Sequence, residues 1–175
     1  MKQVALLLLV AFSLSGCSNP TVTQQAQSAA AGIWSAEIEG GDGSASGFSF
    51  TTEFTINGGG GLNITYFQFL NTTNCFPVDG QNESGTMVLN SVNPSTGQTV
   101  GTFTYKVQAS GNTLTLKGNV AGTEVNGVPP LSAGTISGTW TLTGGSGCNN
   151  STSFPFTMTQ GSSSTTTTST GSSGT

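Results

Sequence analysis

Arginine and histidine are both missing from this 175-residue chain, and charged residues of any kind make up only 6% of it. Without histidine there is no Ser-His or Cys-His pair, no imidazole metal ligand and no zinc-binding helix of the His-Glu-x-x-His type. The basic complement is Lys2, Lys106 and Lys117, set against seven Asp and Glu for a formal net charge of −4. Nucleic acid is therefore not an expected partner, because neutralisation of phosphates by Lys and Arg dominates that affinity. Attraction to anionic lipid head groups is equally unexpected. The charged share lies far below the roughly 25% of an average globular protein. Thr, Ser, Asn and Gly supply the polarity instead, a profile that suits an extracytoplasmic β-protein whose exposed strand faces carry Thr and Ser. Helix formers are scarce beyond residue 31.

Long apolar runs are nearly absent too. The one at 4–14 follows Lys2 and falls short of the roughly 20 residues needed to span a bilayer. It reads as the apolar part of a secretory signal. It ends in Leu14-Ser15-Gly16-Cys17, which resembles the lipobox of bacterial lipoproteins. The resemblance implies cleavage before Cys17, a diacylglyceryl group on its sulfur and an acyl chain on its amino group. Two or more chains anchor stably, at about 0.8 kcal/mol per buried methylene. Ser18 in place of an aspartate after the cysteine implies the outer membrane, if the cell has one. The membrane, reached through this anchor, is one expected partner; the partner in the envelope is left open.

The expected organisation is a signal peptide over 1–16, the lipidated Cys17 with a flexible tether over 17–31, a β-barrel domain over 32–160 and a tail over 161–175. Residues 18–31 have no apolar periodicity and are rich in Gln, Ala and Ser, a linker composition. Residues 161–175 are all Gly, Ser or Thr; they cannot bury a core and are expected to be disordered.

Between those segments, period-two alternation recurs between Gly- and Asn-rich breaks. Trp34, Ala36 and Ile38 share a face, as do Phe48, Phe50, Phe54 and Ile56. The stretch 62–70 is apolar on both faces, with Leu62, Ile64 and Tyr66 on one and Phe67 and Phe69 on the other. Met87 and Leu89, then Phe103, Tyr105 and Val107, then Leu114 and Leu116 mark three more strands. Ile136, Trp140 and Leu142, then Phe154, Phe156 and Met158, complete eight. With Ser110-Gly111 as a two-residue hairpin loop, Val107 faces Leu114 and Tyr105 faces Leu116. The expected fold is all-β, an eight-stranded antiparallel up-and-down meander. A closed barrel is preferred over a β-sandwich, since closure removes edges that so few lysines cannot defend.

In such a meander the loops after the first, third, fifth and seventh strands lie at one end. Cys75 follows the third strand and Cys148 the seventh. With Cys17 lipidated they are an even pair in an oxidising compartment, and a disulfide between them is the simplest expectation. A loop of that length implies a stabilisation of about 4 kcal/mol.

Three long loops at the cysteine end (40–46, 71–83 and 143–152) are natural places for function. An eight-stranded barrel can also enclose one small ligand, lined here by Trp34, Phe48, Phe50, Phe103, Tyr105 and Trp140, unless those side chains simply fill the interior. Gly32-Ile33-Trp34 resembles the Gly-x-Trp opening of lipocalins and avidin-like barrels, the calycins. That resemblance implies a barrel but transfers no binding residues, and the arginine lipocalins carry at their closed end has no counterpart. Asp42, Asp79 and Glu83 offer oxygen ligands of the kind Ca²⁺ takes, but without calcium-loop spacing they read as solvated loop acids. No metal and no cofactor are expected. The glycines at 58–61 precede a strand, not a helix, and so make a hairpin turn instead of a phosphate loop. Glu37, Glu39, Glu53, Lys106 and Lys117 fall on outward faces, leaving no convergent carboxylates for glycosidase chemistry. An enzyme is not expected. Two readings remain: a membrane-anchored lipoprotein binding a small apolar or amphipathic ligand in its barrel, or an envelope interaction protein with a filled core that contacts protein or polysaccharide.

Overall fold

The computed structural model describes residues 22–38, 40, 48–71, 75–76, 81–92, 98–125, 128–145, 147–150 and 152–161. A helix, α1 (Val22–Ala30), precedes eight strands: β1 (Gly32–Ile38), β2 (Phe48–Ile56), β3 (Leu62–Phe69), β4 (Asn82–Val92), β5 (Gln98–Ala109), β6 (Asn112–Val125), β7 (Val128–Thr143) and β8 (Phe154–Gln160). The strands form one antiparallel sheet in the order β3-β2-β1-β8-β7-β6-β5-β4. The last strand pairs with the first, Trp34 opposite Gln160 and Ile38 opposite Phe156. The sheet thus rolls into a barrel that is nearly closed. Among the described residues, the remaining seam, between β3 and β4, is held by a single bridge, Gly61 to Thr86, and a 2.7 Å hydrogen bond from the Met87 amide to the Gly60 carbonyl.

The β5–β6 hairpin has the expected register. Val107 lies opposite Leu114 and Tyr105 opposite Leu116. Ser110 and Gly111 both have positive φ, 53° and 79°, as a two-residue turn matched to strand twist requires. The doubly apolar third strand is explained by a bulge. Phe54 pairs with Ile64 but its neighbour Glu53 pairs with Tyr66, so one extra residue enters β3 at Thr65. An extra residue reverses the facing of everything beyond it. Leu62 and Ile64 before the bulge, and Phe67 and Phe69 after it, all pack against the core, while Tyr66 points outward.

The barrel is filled by alternating large and small residues. Along one row Phe103 pairs with Gly118, Gly118 with Gly138, and Gly138 with Phe156. A Cβ on Gly138 would lie 2.1 Å from the Lys117 carbonyl, and one on Gly118 would meet the tip of the Phe156 ring at 3.1 Å. Two adjacent positions without side chains therefore leave room for two large rings, the usual way a small barrel accommodates its taper.

The expectation of a flexible tether over 17–31 requires correction. Residues 22–30 form α1, and Ala26, Ala29 and Ala30 are fully buried. The helix packs against β7, β4 and β2 and closes one mouth of the barrel. It is held there by the Trp34 indole, which donates to the Ala30 carbonyl at 3.0 Å, and by the Gln160 amide, which donates to the carbonyls of Ala29 and Ala31 at 2.9 Å. Small alanines at i, i+3 and i+4 let the helix backbone approach the barrel closely. The folded unit therefore begins ahead of residue 32. The leader 1–16, Cys17 and the tail from 162 lie outside the described residues.

Candidate functional site

Of the six residues expected to line a ligand cavity, the structure brings Trp34, Phe50, Phe103, Tyr105 and Trp140 together in one core, each at most 2% exposed; the side chain of Phe48 lies outside the described residues. They meet one another and their neighbours. Phe50 stacks on Tyr105 at 5.8 Å, Phe103 on Tyr105 at 5.8 Å, Trp34 on Phe54 at 6.3 Å, and Trp140 tilts against Phe154 at 5.7 Å. Phe50 and Tyr105 stand on β2 and β5, which are not neighbours in the sheet. Their contact crosses the interior, so the space between the walls is occupied by side chains.

The mouth opposite α1 is closed by the disulfide. Cys75 and Cys148 are bonded, with Cα atoms 5.4 Å apart across a sequence separation of 73. Both cysteines arrive at that end because β3 and β7 run the same way. Phe76 follows Cys75 inward, is 1% exposed and stacks on Phe69 at 5.3 Å. Asn112, at the start of β6, locks the arrangement. Its amide nitrogen donates to the Cys75 carbonyl at 2.7 Å and its side-chain oxygen accepts from the Gly145 amide at 3.1 Å.

One polar cluster lies inside. Thr52 and Tyr105 are fully buried, and their hydroxyls are 2.8 Å apart. Thr52 spends its proton on the Tyr66 carbonyl, at 3.0 Å, beside the β3 bulge. Tyr105 is therefore the donor to Thr52. Thr52 escaped the sequence reading because threonine is the common outward residue of this chain; its even position, shared with Phe50 and Phe54, was the available signal. Glu83 pairs with Val107 on the inward face of β4, near the open seam. Burial raises its carboxyl above the ordinary 4.5. Burial is also the main reason the Tyr105 hydroxyl is pushed far upward; the hydrogen bond to Thr52 opposes that, and the Glu83 charge adds to it. Asp42 and Asp79 lie outside the described residues, and among the described residues no group of three metal-ligating side chains forms.

The outer wall is built differently. Tyr66, Leu70, Val88 and Val100 are the large apolar side chains exposed on the described surface; most other outward positions are Thr, Ser, Asn or Gln. This is the inverse of a lipid-facing barrel, which is apolar outside and polar within. Glu37, Glu53, Lys106 and Lys117 are exposed as expected, and Glu39 lies outside the described residues. On β4 and β5, Ser84 pairs with Lys106 and Thr86 with Thr104, with Gly85 between them. These five residues line an open concavity of about 270 Å³ on the barrel's flank. Thr104 in turn pairs with Lys117, and Lys106 with Thr115. The two lysines are thus diagonal neighbours on one wall, and among the described residues neither has a carboxylate partner. In the strand order β1 lies halfway round from β5, and β2 halfway round from β6. Glu37 and Glu53 therefore occupy the wall opposite Lys106 and Lys117.

Comparison with protein families, with curated proteins and with solved structures returned no match. The functional reading rests on the chain's own chemistry.

Proposed function

We propose that this chain is a lipid-anchored, non-enzymatic protein of the bacterial cell envelope that works as an interaction module, presenting the outside of a solid barrel to a partner. The observation that carries the reading is the interior. Trp34, Phe50, Phe103, Tyr105 and Trp140 share one buried cluster, with α1 at one end of it and the Cys75–Cys148 disulfide and Phe76 at the other. A small apolar ligand in the barrel, the other reading of the sequence, needs volume that those side chains take up. The envelope location rests on the lipobox at 14–17 and accords with a disulfide, which persists in oxidising compartments.

Two measurements test this. Cells fed a labelled fatty acid are expected to label the wild-type chain and not Cys17→Ser; continued labelling of the variant ends the anchor assignment. Native mass spectrometry of the exported full-length Cys17→Ser chain is expected to give the mass of the polypeptide alone. A co-purifying small molecule that leaves on denaturation overturns the filled-barrel reading and restores the ligand-binding one.

A further inference from the structure

We propose that the flank formed by β4, β5 and β6 binds an anionic polysaccharide, with Lys106 and Lys117 supplying the charge and the hydroxyls around the Gly85 concavity supplying the hydrogen bonds. This rests on the interaction-module reading and names the class of partner.

The first support is the distribution of charge. The chain carries a net −4, yet its only lysines beyond the leader are neighbours on one wall. Diagonal partners in an antiparallel pair are about 7–8 Å apart. Of the two carboxylates on β4 to β7, Glu83 turns into the barrel beside Val107, and Glu124 stands near the far end of β6, well along the strand from Lys117. The exposed carboxylates of Glu37 and Glu53 sit on the far wall, across the width of the molecule. The flank is thus a local positive surface on an acidic protein, complementary to an anion and oriented by the negative wall behind it.

The second support is what surrounds the charge. Ser84, Thr86 and Thr104 ring the concavity with Lys106, and Thr115 and Thr139 pair with Lys106 and Lys117. Hydroxyls both donate and accept, which suits a ligand that is itself dense in hydroxyls. Protein interfaces, by contrast, concentrate aromatic residues at their centres and are depleted of lysine. No aromatic side chain lines this concavity. A duplex offers such a surface mainly phosphates, of which two lysines neutralise few, whereas a uronate polymer also presents hydroxyls to Ser84, Thr86 and Thr104.

The test is affinity electrophoresis of the exported full-length Cys17→Ser chain through gels containing polygalacturonate, with dextran as the neutral comparison. Retardation by polygalacturonate and not by dextran is expected. It should fall at least about tenfold in apparent affinity when ionic strength rises from about 0.01 M to about 0.15 M, where the Debye length drops from about 30 Å to about 8 Å. Lys106→Gln/Lys117→Gln should abolish it with the far-ultraviolet circular dichroism unchanged. Thr51→Glu/Thr55→Glu on the opposite wall alters net charge by the same amount and should preserve most of it. Equal losses in both double variants would reduce the effect to net charge and overturn the site, as would no retardation of the wild-type chain or equal retention by dextran. A chain that is not retarded but is free of bound small molecules leaves the interaction module standing without this partner. A bound small molecule removes the module reading itself.

Discussion

The Tyr105 hydroxyl reaches across the barrel to Thr52, 2.8 Å away, and joins two strands that share no ladder. Because Thr52 has already donated to the Tyr66 carbonyl, the three groups form a chain with one dependent member at each end. Removal of the middle differs from removal of an end. Thr52→Val strands both the Tyr105 hydroxyl and the Tyr66 carbonyl and should cost about 2–3 kcal/mol, whereas Tyr105→Phe leaves the Thr52 bond to Tyr66 intact and should cost about 1 kcal/mol. Urea denaturation of the two variants checks the order; equal losses would mean the cluster is not arranged this way.

Gly138 should tolerate almost nothing. A Cβ there lies 2.1 Å from backbone, so Gly138→Ala is expected to lose about 1–3 kcal/mol by overpacking. Gly145→Ala, where nothing lies within 4 Å, should stay within about 0.5 kcal/mol of wild type. Paired thermal melts of the two variants separate a packing cost from a general intolerance of alanine.

Glu83 sets a pH dependence whose sign follows from its raised pKa. In the unfolded chain the carboxyl ionises near 4.5, and in the barrel only at higher pH. The folded state holds the proton more tightly, so the stability this group contributes is fully present below pH 4.5 and is lost as pH rises through the folded pKa. Glu83→Gln removes that slope. Its urea midpoint relative to wild type should move upward between pH 4 and pH 7, and an unchanged difference across that range would place Glu83 in open solvent.

The helix provides a fourth test. Ala29 is fully buried and Ser28 exposed. Ala29→Glu should cost about 2 kcal/mol or more, because it buries a charge without a partner, and should open residues 22–31 to proteases. Ser28→Glu should do neither. A tether would treat both substitutions alike.

Those predictions divide along what the residues themselves disclosed. Strand parity reports which way a side chain points, so the β5–β6 register, the outward lysines and the end shared by Cys75 and Cys148 were all legible. The bulge at Thr65 was visible only as a symptom, a strand apolar on both faces. The helix went unread because its buried stripe, Ala26, Ala29 and Ala30, is made of residues too small to announce an apolar face. Whether the aromatic interior was hollow or solid was beyond reach, since inward pointing says nothing of how far rings extend across the lumen. The Phe50–Tyr105 contact across the lumen bears on that, and it emerges only once the strands are paired.

The place of the seam has a consequence for how the chain assembles. β8 joins β1 by a ladder, yet β3 and β4, consecutive along the polypeptide, are joined by a single bridge. The molecule is therefore two meanders, one of three strands and one of five, zipped together through the segments most distant in sequence. A circular permutant with its ends in the loop between β3 and β4, and its original ends fused near residues 22 and 161 so that α1 is kept, would turn that slow, long-range closure into a local one. Its strands would then follow one another around the barrel in the order in which the ribosome makes them.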